Sequence, residues 1–196
     1  MKCRVKFSKF GPVKFIGHLD SMRFFQKAIR AAMIPVKYTE GFSPHQVLSF
    51  AFPLGVGMES ESEYFDLELT GMEDCAHYTE RLNACMCEGI VIEGFYLLPE
   101  KAKNAMASVK EASYRIEFKS SDLLKYLEPA VMQFQNAGEV LSGKETKSGI
   151  VTRDLKEAVR KISVSNNALL FTADASSGGN LKPETLLKAL FEPFKL

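Results

Sequence analysis

The sequence lacks the short motifs by which many enzymes are identified. It has no G-x-x-x-x-G-K-[ST] loop, no G-x-G-x-x-G opening a helix, no H-E-x-x-H and no C-x-x-C. These motifs support nucleotide hydrolysis, dinucleotide binding and zinc catalysis, because each places backbone amides or metal ligands at a fixed spacing. Their absence counts against a self-contained enzyme and leaves metal-independent acid–base chemistry as the remaining catalytic hypothesis.

Long apolar runs are also missing. No stretch approaches the roughly 20 apolar residues of a membrane-spanning helix. The first seven residues alternate charged and apolar side chains, whereas a signal peptide has a continuous apolar block. We therefore expect a cytoplasmic chain that is not associated with a membrane.

Cysteine is sparse, and its spacing suggests no metal site. A chain of 196 residues can bury a core without disulfides, so we expect Cys3, Cys75, Cys85 and Cys87 to be reduced. Cys85 and Cys87 could ligate a metal together with His77, but side chains two residues apart on a helix point in different directions. The sequence therefore predicts no metal and no cofactor.

The near-neutral total charge conceals a strong charge asymmetry. Residues 1–37 carry nine Lys or Arg and one acid, Asp20, whereas residues 38–100 carry twelve Asp or Glu and one base, Arg81. The two segments could neutralise each other, or the first could form a basic surface that binds an anion such as RNA. Composition alone leaves both interpretations open.

The pattern of residues 1–99 predicts a β-α-β-β-α-β order, which is typical of a ferredoxin-like (split βαβ) fold. Strands with a two-residue period are expected at 1–7, 47–52, 63–69 and 90–98, with an extra strand at 36–42. Helices are expected at 18–33 and 74–87, on one face of an antiparallel sheet. The expected core contains Phe7, Phe25, Leu48, Phe65, Leu67 and Leu82.

Residues 113–196 partly repeat this plan after an expected linker at 100–112. A strand at 113–118, a helix at 122–136, short strands at 140–141 and 150–151, a short helix at 154–161, a hairpin around Asn166-Asn167 and a helix from Pro183 are predicted. The fold class is therefore α+β, with two ferredoxin-like halves, the second a variant of the first.

The cations of the first strand have two interpretations. Lys2, Arg4 and Lys6 could form a nucleic-acid-binding sheet face, or they could pair with Asp66 and Glu68 across the neighbouring strand. That face offers no aromatic pair of the kind that stacks bases in an RNA-recognition motif. Cross-strand pairing is therefore the expectation.

Five other cations have few acids nearby in the sequence and are the stronger anion-binding candidates. Three of them follow one another on the outer face of the first predicted helix at i, i+4 and i+7. The candidate nucleic-acid-binding cations are Lys9, Lys14, Arg23, Lys27 and Arg30.

His18 and His45 complete the set of candidate site residues. Both occupy a loop or a helix end, and histidine is the side chain that changes charge near neutral pH without help. Either could contact a phosphate or act as the general base of RNA cleavage, and either could instead be a hydrogen-bonded turn histidine.

Four segments resemble those of the bacterial radical SAM-linked protein family, a domain of unknown function found beside or fused to radical SAM proteins. They are Phe7–Asp20 (FSKFGPVKFIGHLD), Gly41–His45 (GFSPH), Pro53–Gly57 (PLGVG) and Glu63–Asp66 (EYFD). The similarity is strongest over residues 2–70, and weaker features such as 182–187 extend it along the chain. The resemblance implies a radical SAM partner that carries the iron–sulfur cluster, for which this chain lacks the cysteines.

Three functions remain open from the sequence. The first is an accessory RNA-binding subunit that presents RNA to a radical SAM modification enzyme. The second is a metal-independent endoribonuclease, since the doubled ferredoxin-like plan resembles that of CRISPR RNA-processing proteins. The third is a structural partner subunit, and the RNA and the oligomeric state are left open in each case.

Overall fold

The computed structural model describes residues 1–71, 74–146 and 149–195, and it divides the chain into two compact units. The first unit is Met1–Ser108 and the second is Val109–Leu196. Both are mixed α+β units built on antiparallel sheets, so the predicted fold class is confirmed.

The first unit has the strand order of a split βαβ fold. Its four-stranded sheet runs β2-β3-β1-β4, and every neighbouring pair is antiparallel. The main elements are β1 (Lys2–Lys9), α1 (His18–Ala31), β2 (Leu48–Phe50), β3 (Ser60–Glu68), α2 (Cys75–Asn83) and β4 (Ile90–Leu97). A 3-10 helix (Gly11–Phe15) connects β1 to α1, and a short helix α3 (Ala105–Ser108) follows β4.

The core of the first unit lies between the sheet and its two long helices. Alternation along β1 buries Cys3, Val5 and Phe7, while α1 buries Phe25 and α2 buries Leu82 against them. Of the six expected core residues, five are buried in this cluster and Leu48 packs against it while partly exposed. Because these side chains fill the space between the layers, they hold both helices on one face.

Both helices end earlier than the apolar pattern predicts. The chain leaves α1 because Met33 adopts a left-handed φ of 52°, and the amide of Ile34 donates to the Ile29 carbonyl. The Arg81 guanidinium on α2 then donates to the exposed carbonyls of Ala32 and Met33. This contact satisfies backbone acceptors that a helix end otherwise leaves free.

The strand expected at residues 36–42 is wrong. Val36 and Tyr38 form only isolated bridges, to Leu69 and Gln46. The segment folds back on itself, because the amide of Thr39 donates to the His45 carbonyl at 2.9 Å. It is a loop that leads to the three-residue strand β2.

Part of the stretch expected as a linker packs on the first unit. Ala105 is buried, its amide donates to the Asp66 carboxylate at 2.7 Å, and Arg4 donates to the Lys103 carbonyl at 3.0 Å. Residues 103–105 therefore contact the polar side chains on the sheet face opposite the helices.

The second unit has a three-stranded sheet in the order β5-β9-β8 and a separate hairpin, β6-β7. Its elements are β5 (Glu111–Glu117), α4 (Ser121–Asn136), β6 (Leu141–Thr146), β7 (Gly149–Asp154), α5 (Leu155–Ala158), β8 (Val159–Ser165), β9 (Ala168–Asp174) and α6 (Pro183–Phe191), followed by a 3-10 turn (Glu192–Phe194). Asn166 and Asn167 both have positive φ between β8 and β9, as the Asn-Asn signal predicts. The helix expected at 154–161 ends at Ala158, because Val159 already pairs with β9.

None of the helices in the described ranges combines the length and the apolar character needed to cross a bilayer.

Candidate nucleic-acid interface

Lys2, Arg4 and Lys6 of β1 are neutralised by acids on the neighbouring strands. Arg4 lies opposite Asp66, and its guanidinium donates to the two carboxylate oxygens at 2.8 and 3.1 Å. Lys2 lies opposite Glu68 with 3.8 Å between Nζ and Oε1. These two predicted cross-strand pairs are confirmed, whereas Lys6 pairs with Glu93 on β4. The sheet face therefore offers little free positive charge to an RNA.

On the exposed face of α1, unlike the sheet face, most of the cations have no acidic partner within the described residues. Arg23, Lys27 and Arg30 are all exposed, because the opposite face of the helix buries Phe25 and Ile29 in the core. Within the described residues, only Arg23 of the three has an ion-pair partner, Asp20 at 3.2 Å, and that pair is exposed to solvent. Helical spacing aligns the three cations along one stripe, which we call the α1 ridge.

Lys14 lies at the surface, but it already has an anionic partner. Its ammonium is 2.8 Å from the Glu59 carboxylate and 5.6 Å from the centre of the Phe15 ring. The same carboxylate accepts a hydrogen bond from the Gly11 amide at 3.2 Å. These contacts lower the pKa of Glu59, with the Lys14 hydrogen bond as the main cause. Lys14 therefore brings less free charge than the α1 ridge.

Lys9 is buried and stabilises the loop after β1. Its side chain is 4% exposed, and its ammonium donates to the Ile16 carbonyl at 2.8 Å, which fixes the loop after β1. Burial lowers the pKa of Lys9, and the charge of Glu63 acts in the opposite direction. A direct contact to an RNA phosphate would require the loop to move away.

A small cleft brings Lys9 together with His18, Ser21 and Glu63. The His18 ring stands edge-on to the Phe50 ring, with 5.3 Å between centroids. Burial raises the pKa of Glu63, while a hydrogen bond from Ser60 and the charge of Lys9 act against this effect. The cleft has a volume of about 20 Å³, which suits a water molecule and excludes a nucleotide.

His45 does not line this cleft with His18. It lies exposed in the loop before β2, where its Nδ1 is 3.2 Å from the Thr39 hydroxyl and 3.4 Å from the Ser43 carbonyl oxygen. The His45 amide also donates to the Thr39 hydroxyl, at 3.1 Å. These are the contacts of a turn histidine.

Sequence reasoning missed Glu63 as a member of the cleft, although the signal was present. Glu63 has the same parity as Phe65, Leu67 and Leu69, so a two-residue period already places it on the buried face of β3. The exposure of Phe15 was also missed. Phe15 is 67% exposed, and no periodic pattern applies in the 3-10 helix that carries it.

Metal-ligating side chains do not converge anywhere in the described ranges: no group of three His, Cys, Asp or Glu residues there could hold an ion. All four cysteines are free, with Cys3 buried and Cys87 exposed.

Comparison with known families gives a match that covers most of the chain. A family model described as an uncharacterized protein conserved in bacteria (DUF2344) matches residues 2–183. No curated protein matches the chain.

Proposed function

This chain belongs to a family of uncharacterized proteins conserved in bacteria (DUF2344), and from the charge pattern of its first unit we propose that it is an accessory RNA-binding subunit that works with a radical SAM enzyme. In this role the chain binds and presents the RNA, and the partner performs the chemistry.

One contrast between two sets of cations carries the proposal. Lys2, Arg4 and Lys6 of β1 are paired with Glu68, Asp66 and Glu93, whereas Lys27 and Arg30 of the α1 ridge have no ion-pair partner within the described residues. Positive charge that is not neutralised within the protein is available to release counterions from a phosphate backbone. The α1 ridge is therefore the favoured contact surface.

The partner is proposed from sequence resemblance. The segments at residues 7–20, 41–45, 53–57 and 63–66 resemble those of proteins found beside or fused to radical SAM enzymes. A radical SAM reaction needs an iron–sulfur cluster held by cysteine thiolates, and the described residues contain no set of ligands for one. Copurification from the native organism, with the protein and RNA fractions both identified, tests this part of the proposal.

The RNA-binding part is tested by the salt dependence of affinity for an unstructured oligonucleotide. Each phosphate contact to a single strand contributes about 0.7 to the slope of log K against log salt. The variant R23A/K27A/R30A should bind more weakly and flatten this slope by about 2, in proportion to three lost contacts.

A matched control variant also removes three positive charges, but from lysines that form ion pairs within the protein. The variant K2A/K6A/K14A loses three lysines whose ammonium groups already contact Glu68, Glu93 and Glu59. Its slope should change much less than that of the ridge variant. Equal flattening in both variants would show that only total charge matters, and wild-type protein with no salt-sensitive binding would leave the structural-subunit function in its place.

A second candidate function is a metal-independent endoribonuclease. The observation in its favour is that His18 shares a cleft with Lys9 and Glu63, whose pKa values are shifted in opposite directions by burial. Incubating RNA with wild-type protein, H18A and H45A in the presence of EDTA tests it. We expect intact RNA in all three samples, because the cleft is too small for a nucleotide; cleavage that H18A or H45A abolishes would select the nuclease function.

A further inference from the structure

The second unit carries a wide groove on its surface. It lies beside α6 and is bounded by the start of β6, by Arg153 on β7 and by the loop of residues 177–181. Its volume of about 1050 Å³ is at the upper end of the range for ligand sites.

The charged side chains that line this groove are mostly cationic. Lys182, Lys188 and Lys195 are all exposed, and no ion pair involves them within the described residues. Glu192 is the one acid among the described residues that line the groove, and the remaining cation, Arg153, is held by Asp174. Three lysines facing one acid leave the groove with a net positive charge.

One wall of the groove has a fixed shape. Arg153 donates to the Gly179 carbonyl and to the Asp174 carboxylate, and that carboxylate also accepts from the Ser176 amide at 2.8 Å. A Cβ atom on Gly179 would lie 2.1 Å from Asp174 Oδ2, so a larger residue there would displace this carboxylate. Gly178 before it has no atom within 4 Å of the place of a Cβ, so at this position of the wall a phosphate group can approach the backbone closely.

The spacing of the lysines indicates the shape of the ligand. Lys182 precedes the first residue of α6, Lys188 lies in its last turn, and Lys195 follows the 3-10 turn. Helical rise places Lys182 and Lys188 roughly 9 Å apart along the axis of α6, and Lys195 lies beyond the end of that helix. One phosphate group is too small to contact all three, whereas successive phosphates of an extended strand can do so.

We propose that this groove binds the sugar–phosphate backbone of a single RNA strand. The inference rests on the proposed function and adds to it a second anion-binding surface, independent of the α1 ridge. The glycine-lined wall provides close approach for the backbone, and the three lysines provide the charge.

The experiment compares the full-length chain with variants in binding a labelled 12-nucleotide oligouridine across a salt series. The groove variant K182A/K188A/K195A should flatten the slope of log K by about 2, in proportion to three lost contacts. The control K119A/K125A/K161A removes three exposed lysines of the same unit that do not line the groove, and its slope should stay close to wild type.

The outcomes separate this inference from the proposed function. A groove variant with the wild-type slope, beside a ridge variant with a flattened slope, overturns the groove and leaves the RNA-binding function standing. Wild-type slopes in both variants overturn both. Competition with inorganic triphosphate tests the shape of the ligand: we expect weak displacement, and displacement of the oligonucleotide at equal phosphate concentration would overturn the extended-strand assignment.

Discussion

Asp66 joins Arg4 to the segment after β4. Its carboxylate accepts two hydrogen bonds from the Arg4 guanidinium and a third, at 2.7 Å, from the amide of Ala105. The side chains of Arg4 and Asp66 are 20% and 13% exposed, so solvent screens this pair less than an ordinary surface pair. The contact raises the pKa of Arg4, mainly through the hydrogen bond, which keeps the pair charged.

Removing Asp66 should therefore be costly. In D66A the Arg4 guanidinium loses its anionic partner while it stays mostly covered, and we expect the free energy of unfolding to fall by about 2 to 3 kcal/mol in urea titrations. The control K2A breaks the exposed 3.8 Å contact to Glu68 and should cost less than about 1 kcal/mol. Equal losses in the two variants would contradict the role given to Asp66.

The buried acid of the cleft predicts a pH dependence of stability. Burial raises the pKa of Glu63 above its ordinary value of 4.5 in the folded state. Its contribution to stability is therefore complete below that value and is lost as the pH rises through the folded-state pKa. Wild-type stability minus that of E63Q should be larger at pH 4.5 than at pH 7.5, measured by urea unfolding at each pH.

Glu59 provides a control, because its contribution to stability should change with pH in the opposite direction to that of Glu63. Its pKa is lowered by the Lys14 hydrogen bond, so its contribution is present above pH 4.5 and is lost as the pH falls. Wild-type stability minus that of E59Q should decrease toward acid pH. The same trend for E59Q and E63Q would show that general charge, and not local environment, sets the pH dependence.

Truncating the aromatic core should destabilise the first unit strongly. Phe25 is fully buried, and its ring lies 4.8 Å from the Phe7 ring and 5.1 Å from the Phe65 ring, between centroids. F25A should cost about 3 to 5 kcal/mol, because the cavity cannot collapse between the packed rings of Phe7 and Phe65. L19A on the same helix is a control, since Leu19 is 61% exposed and its loss should stay within about 0.5 kcal/mol.

The four thiols should react at different rates with a disulfide reagent at pH 8. Burial raises the pKa of Cys3 to about 11, and Cys75 adds to this, whereas Cys87 is exposed. One thiol should react rapidly, and Cys3 only when the protein unfolds, because the thiolate is the reactive form. C87S should abolish the fast phase; an unchanged fast phase would place the exposed thiol elsewhere.

The features that could be predicted best from the sequence are the contacts between side chains on neighbouring strands, because these contacts follow the two-residue period of a strand. Antiparallel pairing puts side chains of equal parity on one face, and this is why Arg4 and Asp66 were expected to meet. The same rule, applied without regard to charge, would have placed Lys9 and Glu63 inside. The cleft was not predicted from the sequence, because charged residues were assumed to point outward.

Features that depend on distant partners were not predictable. Residues 36–42 have apolar side chains at intervals, but a strand also needs a neighbour with free backbone groups, and Val36 and Tyr38 find only single bridges. The groove of the second unit was missed for a similar reason. Arg153 and Gly179 are far apart in sequence, and the loop between β9 and α6 brings them into contact.

The position of β1 has a consequence for how the first unit is made. β1 is an inner strand, and its residue Cys3 pairs with both Leu67 and Leu97. During synthesis, β1 therefore leaves the ribosome before β3 and β4, the two strands with which it pairs. Such long sequence separations slow folding and leave strand edges exposed in the meantime. The nascent chain is accordingly most vulnerable to aggregation before β4 emerges, and this is the interval in which a chaperone would have its greatest effect.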